Sequence, residues 1–283
     1  MFRLPLTIAI GFNNKFHHVD QKSFLEKIKS RMTTQEKLLL QEKAKKEEVE
    51  IKIDFSKYDL RKLLLYLRVA EKKPEEIEFI IRKAIRKITK NISFRFNKIR
   101  VVLDNSASSY GSEERKYHPI ATAQAISMVL NELSEDFKEY RTYESNDLLA
   151  PCVGASNLAI PLIKALKDKP EAVFILSDGY ENQPAGACEQ VIKIFKEKFD
   201  KEDKIKIYHF GTTFAAETEK VRSLGESIQS VGIQNIEEIG IALLLNDIKE
   251  GGKKLETYLT QLLDSLRIRN LKTIPYYLLS QPR

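Results

Sequence analysis

The run Val101-Val102-Leu103-Asp104-Asn105-Ser106-Ala107-Ser108 closes a short β-branched stretch with a carboxylate, then offers hydroxyls two and four places on. A strand followed by D-x-S-x-S sets one carboxylate and two hydroxyl oxygens at the carboxyl end of a buried strand. In an open α/β sheet that edge is where ligands bind. Oxygen-only donors suit a hard cation such as Mg2+ and suit Zn2+ or Cu2+ poorly. Asp and Ser also crowd into ordinary turns, so the pattern by itself carries little weight. Two further segments add to it. Gly154-Ala155-Ser156-Asn157-Leu158-Ala159-Ile160-Pro161-Leu162 offers a hydroxyl before an apolar-periodic helix, and Ala172-Val173-Phe174-Ile175-Leu176-Ser177-Asp178-Gly179 is a second buried strand ending in Asp.

Other chemistry is not signalled. The sequence has no G-x-G-x-x-G, no Walker A lysine loop and no HExxH helix. His17, His18, His118 and His209 lack ligand spacing to a Cys or to one another, apart from the adjacent pair 17/18. Asp104 lacks the second carboxylate two residues on that a phosphatase nucleophile would need, because Ser106 stands there. The chain is therefore read as a binding protein, with a metal-dependent phosphoesterase as the minority reading.

The elements that must position these groups follow from periodicity. From Asn97 the chain alternates strand, loop and helix, with strands expected at residues 99–104, 173–177 and 205–210 and a weaker one at 139–143. Helices are expected at 120–133, 157–167, 185–199 and 217–230, and residues 236–248 as a final strand and helix. Such alternation implies a Rossmann-like α/β fold: a doubly wound, mainly parallel sheet covered on both faces. Residues 1–95 read as a small α-helical module. Asp20 caps a helix through Lys29, and the capping box Thr33/Glu36 opens one through the late forties. Residues 51–55 suggest a short strand or extended crossing. A helix over 58–70 carries Leu60, Leu63, Leu64 and Leu67 on one face. In the next, Pro74 stands at the start, and Ile77, Ile80, Ile81, Ala84, Ile85 and Ile88 form the buried stripe. Arg82, Lys83, Arg86, Lys87 and Lys90 fall outside it as a candidate phosphate-contacting face. Residues 96–251 form the α/β domain, and 252–283 an amphipathic helix (253–266) and tail expected to pack back on the body.

Charge is divided unevenly. Residues 1–100 hold 25 Lys and Arg against 13 Asp and Glu, within a chain of net charge +7. The basic module points to a polyanionic partner, the alternative being a solvated lysine-rich surface. The longest apolar runs fall well short of the ~20 residues that span a bilayer. The opening apolar stretch from Leu4 to Phe12 lacks a following cleavage site, so the expectation is a cytoplasmic protein. The two cysteines, Cys152 and Cys188, are then expected as reduced thiols.

The three loop motifs, in this order and spacing, resemble the metal-ion-dependent adhesion site of von Willebrand factor A domains, over about residues 97–251. The resemblance implies that Asp104, Ser106, Ser108, Ser156 and Asp178 hold a divalent cation, Mg2+ first and Mn2+ or Ca2+ as alternatives. It also implies that a protein partner completes the coordination with a carboxylate. Ser156 stands where the family usually has Thr, and the hydroxyl survives that change. Ser156 to Ile163 and Phe174 to Glu181 are most similar to the A domain of the Ro/TROVE ribonucleoproteins, in which a ring of helical repeats binds small noncoding and misfolded RNA. Only about 95 residues precede the sheet here, room for roughly two repeats of ~40–47 residues where arrays need three or more. The expectation is thus part of a hetero-complex: a Ro-like RNA–protein particle or its split form, or alternatively an interaction partner of a cytoplasmic ATPase without RNA. Leu63, Leu64, Ile77 or Phe79 would then stay partly exposed, or pack elsewhere.

Overall fold

The computed structural model describes residues 1–33, 36–37, 40–52, 54–69, 75–90, 92, 95–112, 115–212, 222–228, 230–233, 235–240 and 242–243. The chain divides into two compact units, Met1–Ile81 and Arg82–Arg283.

In the first unit, α1 (Leu6–Phe12) runs into a π-helical turn, Asn13–His17. The Asn13 side chain closes that turn by exchanging two 2.9 Å hydrogen bonds with the backbone of Val19. Helix α2 (Gln21–Ile28) opens with the Asp20 carboxylate accepting from the Ser23 N–H at 2.9 Å, the cap expected from sequence. The capping box is also present: Glu36 accepts from the Thr33 N–H at 2.7 Å and the Glu36 N–H donates to Thr33 Oγ1. Helix α3 (Gln41–Lys46) follows. Leu6, Ala9, Phe24, Leu25, Ile28, Leu40 and Ala44 share one core. The described part of residues 51–55 forms no strand; Asp54 instead accepts from the Ser56 N–H and starts a 3-10 turn, Phe55–Lys57.

Helix α4 (Leu60–Val69) buries Leu60, Leu63, Leu64 and Leu67. The boundary between the units falls within α5 (Ile77–Thr89). Ile77 and Ile81 are buried, and Arg82, Lys83, Arg86, Lys87 and Lys90 are exposed. Of the four apolar side chains singled out above, only Phe79 is exposed, at 70%.

The second unit is built on β1 (Phe96–Leu103), β2 (Ser134–Arg141), β3 (Ala172–Ser177), β4 (Lys206–Gly211) and β5 (Ser230–Gly232). They form one sheet in the order β2-β1-β3-β4-β5, every neighbouring pair parallel. All residues of β3 are buried, as expected where both faces are covered. Val102, Val173 and Ile175 point to one face, onto Leu158, Leu162 and Ala165 around α7 (Ala159–Lys167) and onto Cys188 and Ile192 of α8 (Ala187–Lys198). Val101, Leu103 and Phe174 alternate to the other face, where α6 (His118–Glu132) contacts β1, β2 and β3. The chain leaves β1 toward β2, then returns to the far side of β1 for β3. That reversal opens a crevice outside the carboxyl ends of β1 and β3, the switch point where α/β sheets of this order bind ligands.

Three sequence expectations for this unit need correcting. Strand β2 starts at Ser134, earlier than the 139 expected, because its edge position leaves Glu135, Asp136 and Lys138 in solvent or half exposed and hides the apolar signal. Its register is held by the buried guanidinium of Arg100, which binds Asp136 at 3.0 Å and Asp168 at 2.5 Å. The helix expected over 217–230 is not one in its described part. Residues 222–228 form a turn-rich loop and Ser230 opens β5. Gly225 takes φ 152°, and the backbone N–H groups of Glu226 and Ser227 donate to the Glu189 carboxylate of α8 instead of a helical ladder. Of residues 236–248, Ile236–Glu238 form a 3-10 turn rather than a strand. Residues 217–221, 244–248 and 253–266, like Pro74, lie outside the described residues. Among the described residues no helix is long and apolar enough to cross a membrane.

Candidate metal centre

Asp104 follows β1 directly, and its N–H still donates to the Leu176 carbonyl of β3 at 2.9 Å. The carboxylate is thereby fixed at the switch point. The chain then turns sharply, with the Ser106 N–H donating to Asp104 Oδ1 at 3.0 Å. Ser156 arrives from the loop before α7, and its hydroxyl donates to Asp104 Oδ2 at 3.0 Å. The hydroxyls of Ser106 and Ser108 lie 3.2 Å apart, and Ser108 in turn hydrogen-bonds the Asp178 side chain at the end of β3. All five sequence-selected residues are thus joined in one network. Asp104, Ser106, Ser156 and Asp178 are buried and Ser108 is exposed, so the cluster opens to solvent at one hydroxyl.

Ser156 does not open α7 as the sequence suggested. The helix starts at Ala159 after Leu158 as N-cap, and Asn157 Oδ1 accepts from the Ile160 N–H at 3.3 Å. Standing three residues earlier frees the Ser156 hydroxyl to face Asp104.

The electrostatics of the pair favour a cation. Burial pushes the Asp104 carboxyl above its usual range, and the charge of Asp178 pushes it further, against the hydrogen bonds from Ser106 and Ser156. Burial likewise raises Asp178, opposed by Ser108 and by the nearby charge of Arg222. Two carboxylates desolvated in one crevice, surrounded by hydroxyls, form a hard-oxygen donor set of the kind that Mg2+ takes. Among the described residues no three His, Cys, Asp or Glu side chains gather as a metal cluster. A site here would depend on serine oxygens for the balance of its ligands.

Several supporting residues gave no sequence signal. Thr142, just past β2, donates its hydroxyl toward Asp104 Oδ1 at 3.3 Å and accepts from the Asn105 N–H at 3.0 Å. Asn105 is locked by the backbone of Tyr143, accepting its N–H and donating to its carbonyl, each at 2.9 Å. The Tyr143 ring covers Gly154 so closely that a Cβ there would fall 1.7 Å from its hydroxyl, which explains glycine at a φ of +71°. Asn182 Oδ1 accepts from the Ser156 N–H at 2.9 Å.

Glu181 ties two helix starts together. One oxygen accepts from the Leu158 N–H at 3.2 Å and the other from the Cys188 N–H at 2.8 Å. Both helix dipoles present their positive ends to it. Glu181→Ala should lower unfolding stability by about 2 kcal/mol, since it orphans two N–H groups, and Glu181→Gln by less. Urea denaturation checks the order of the three proteins. Neither Cys152 nor Cys188 is in a disulfide; Cys188 is buried and Cys152 half-buried.

No protein-family model matches the chain, and no curated protein matches it in sequence. Among solved structures, the Ro protein (RSR) of Deinococcus radiodurans is similar, at 11% sequence identity and a TM-score of 0.41. The match covers 84% of this chain and 48% of the Ro chain, so this chain spans about half the length of that protein. At that depth of likeness, the reading of the site rests on its own geometry.

Proposed function

We propose that the Asp104/Asp178 crevice takes a divalent cation, Mg2+ in the first place. On this reading the chain is a metal-dependent binding module of the von Willebrand factor A class, working in a Ro/TROVE-like RNA–protein particle or its split form. One observation carries the metal reading. Three separate loops bring five oxygen-bearing side chains, two of them buried carboxylates, together at the carboxyl ends of β1 and β3. Asp104, Ser106, Ser108, Ser156 and Asp178 would hold the cation. When bound, it supplies a Lewis-acid point for the carboxylate of a partner protein. The chain's own part is to bury the acids, orient the serines and leave Ser108 toward solvent. Calorimetric titration with Mg2+ and with Mn2+ tests it, and an absence of saturable binding by both ions would end this reading.

The RNA side of the reading rests on α5. Lys83 and Arg86 lie at i and i+3 along one side of the helix, with Lys90 just past its end, all exposed. Exposed cations spaced along one helix suit contact with successive phosphates. Replacing Lys83, Arg86 and Lys90 with Gln should weaken single-stranded RNA binding about equally for all sequences. The salt dependence should become shallower by about 0.7 per lost contact. Fluorescence anisotropy across a salt series measures both, and an unchanged slope would reduce the patch to a solvated helix face.

A further inference from the structure

Beside the acid pair the structure holds a cationic group that the metal reading does not use. Arg222 lies in the loop before β5, and its guanidinium carbon sits 3.3 Å from the centroid of the Tyr180 ring. Tyr180 follows Asp178 by two residues and donates its N–H to Asp178 Oδ1 at 2.9 Å. The stack is fixed from below as well. Gly179 has φ +81°, and a Cβ there would lie 2.7 Å from the Arg222 carbonyl oxygen and 2.9 Å from its Cβ. Only glycine lets the two loops lie so close. Both side chains are exposed, Tyr180 at 52%.

A guanidinium whose carbon sits this close over a ring face meets the ring by cation–π attraction and still has N–H donors at its rim for a planar anion. Stacking removes much of the side-chain freedom that a carboxylate would otherwise have to freeze, so the fork is pre-organised. Because its backbone packs on Gly179 and its guanidinium on Tyr180, the two residues after Asp178, it stands beside the same crevice, and its charge opposes the rise of the Asp178 carboxyl.

We propose that Arg222, held on Tyr180, is the second anchor of the ligand, and that the crevice selects a doubly acidic one. One carboxylate goes to the cation and the other to the Arg222 fork, as in a peptide with neighbouring acidic side chains. This inference rests on the metal reading above. It adds the ligand's chemistry and a recognition residue outside the cation's own donor set.

The test uses the full chain loaded with Mn2+, with water-proton relaxation reporting displacement of water from the bound ion. The probes are acetate and the series malonate, succinate and glutarate. For the parent protein, the best dicarboxylate should act at about one-tenth the concentration of acetate, the factor of a single charge-assisted contact. Arg222→Ala should erase that gap and also tighten Mn2+ binding about 2- to 5-fold, because a positive charge has left the crevice. Arg222→Lys should hold Mn2+ like the parent yet keep only part of the gap, since a point charge replaces the fork. Tyr180→Leu should likewise keep only part of it. Circular dichroism verifies that these surface variants are folded. A gap that persists in Arg222→Ala, or no gap in the parent protein with Mn2+ bound, overturns the inference and leaves the metal reading standing. Failure of Mn2+ to bind the parent protein removes both.

Discussion

In EDTA at neutral pH, Asp178→Asn should unfold at a higher urea concentration than the parent protein, and added Mg2+ should stabilise the parent but not the variant. Burial and, for Asp104, the neighbouring charge raise both carboxyl groups above their ordinary values. For an acid raised in the folded state, stability is present below the unfolded value near 3.8 and is lost as pH climbs through the folded value. Without a cation that penalty grows with pH, so it weighs more at neutral pH than in acid. An amide at 178 relieves it while keeping shape and an oxygen for the Tyr180 N–H. The gain should be on the order of 1 kcal/mol, comparable to other buried polar changes. A bound cation stabilises the parent by mass action, in proportion to the logarithm of its excess over Kd. Asp104→Ala should lose Mg2+ affinity by more than the ~10–100-fold typical of residues that only support a ligand. Ser156→Thr should keep it and Ser156→Ala weaken it. If Asp178→Asn is less stable in EDTA, or if Mg2+ protects it as well as the parent, the acid pair is structural and the cation reading is wrong.

How far the sequence reached depended on which physical signal each residue leaves. Asp104 and Asp178 were legible because a fully apolar strand that stops at a carboxylate sets a charge at the rim of the core, where it is costly unless something pairs with it. Both strands ended within a residue of where the pattern put them. Ser106 and Ser108 came with Asp104, as neighbours in one turn. Ser156 was found too, although the helix after it was expected from residue 157 and starts at Ala159. Thr142, Asn182 and Glu181 were not legible. Each is a single polar residue that matters through one or two long-range hydrogen bonds, and periodicity has nothing to say about those. The sheet's edges were the weak part of the fold reading. Strand β2 hides behind its own solvent-facing charges, and β5 is three residues long. Arg222 stood inside an expected helix, and only the loop around Gly225 brings it to Tyr180. In the helical module, caps were read correctly at Asp20 and Thr33, because a cap is local in sequence as well as in space.

Lowering the pH from 6.5 to 4 should cost the parent protein about 3 kcal/mol of stability that His209→Gln does not lose. His209 lies on β4 between its sheet neighbours and is fully buried. Its Nδ1 is 2.7 Å from Ser230 Oγ of β5 and its Nε2 3.4 Å from Ser177 Oγ of β3. Burial depresses its pKa from 6.5 to about 4, against a smaller opposing contribution from the Ser177 backbone. The unfolded chain thus takes up a proton near pH 6.5 while the folded one refuses it until about 4. Across that window the unfolded state binds more protons, so stability falls as pH falls. Each pH unit of the gap is worth ~1.4 kcal/mol, hence the total. The raised carboxyls of Asp104 and Asp178 tilt the curve the other way, but they are common to both proteins and cancel in the difference. At pH 7.5 the glutamine variant should be the weaker protein by about 1 kcal/mol, for its poorer fit to Ser230. Near pH 4 it should be the stronger. Urea unfolding at five pH values in EDTA measures the crossing, and two parallel curves would mean that His209 takes up its proton as readily in the fold as in the unfolded chain. The consequence reaches the crevice, because Ser177 Oγ also accepts the Gly179 N–H at 2.9 Å, directly beneath the Asp178 turn. Acid that charges His209 therefore loosens the strand end that holds Asp178, and Mg2+ affinity should fall in acid less steeply in His209→Gln than in the parent.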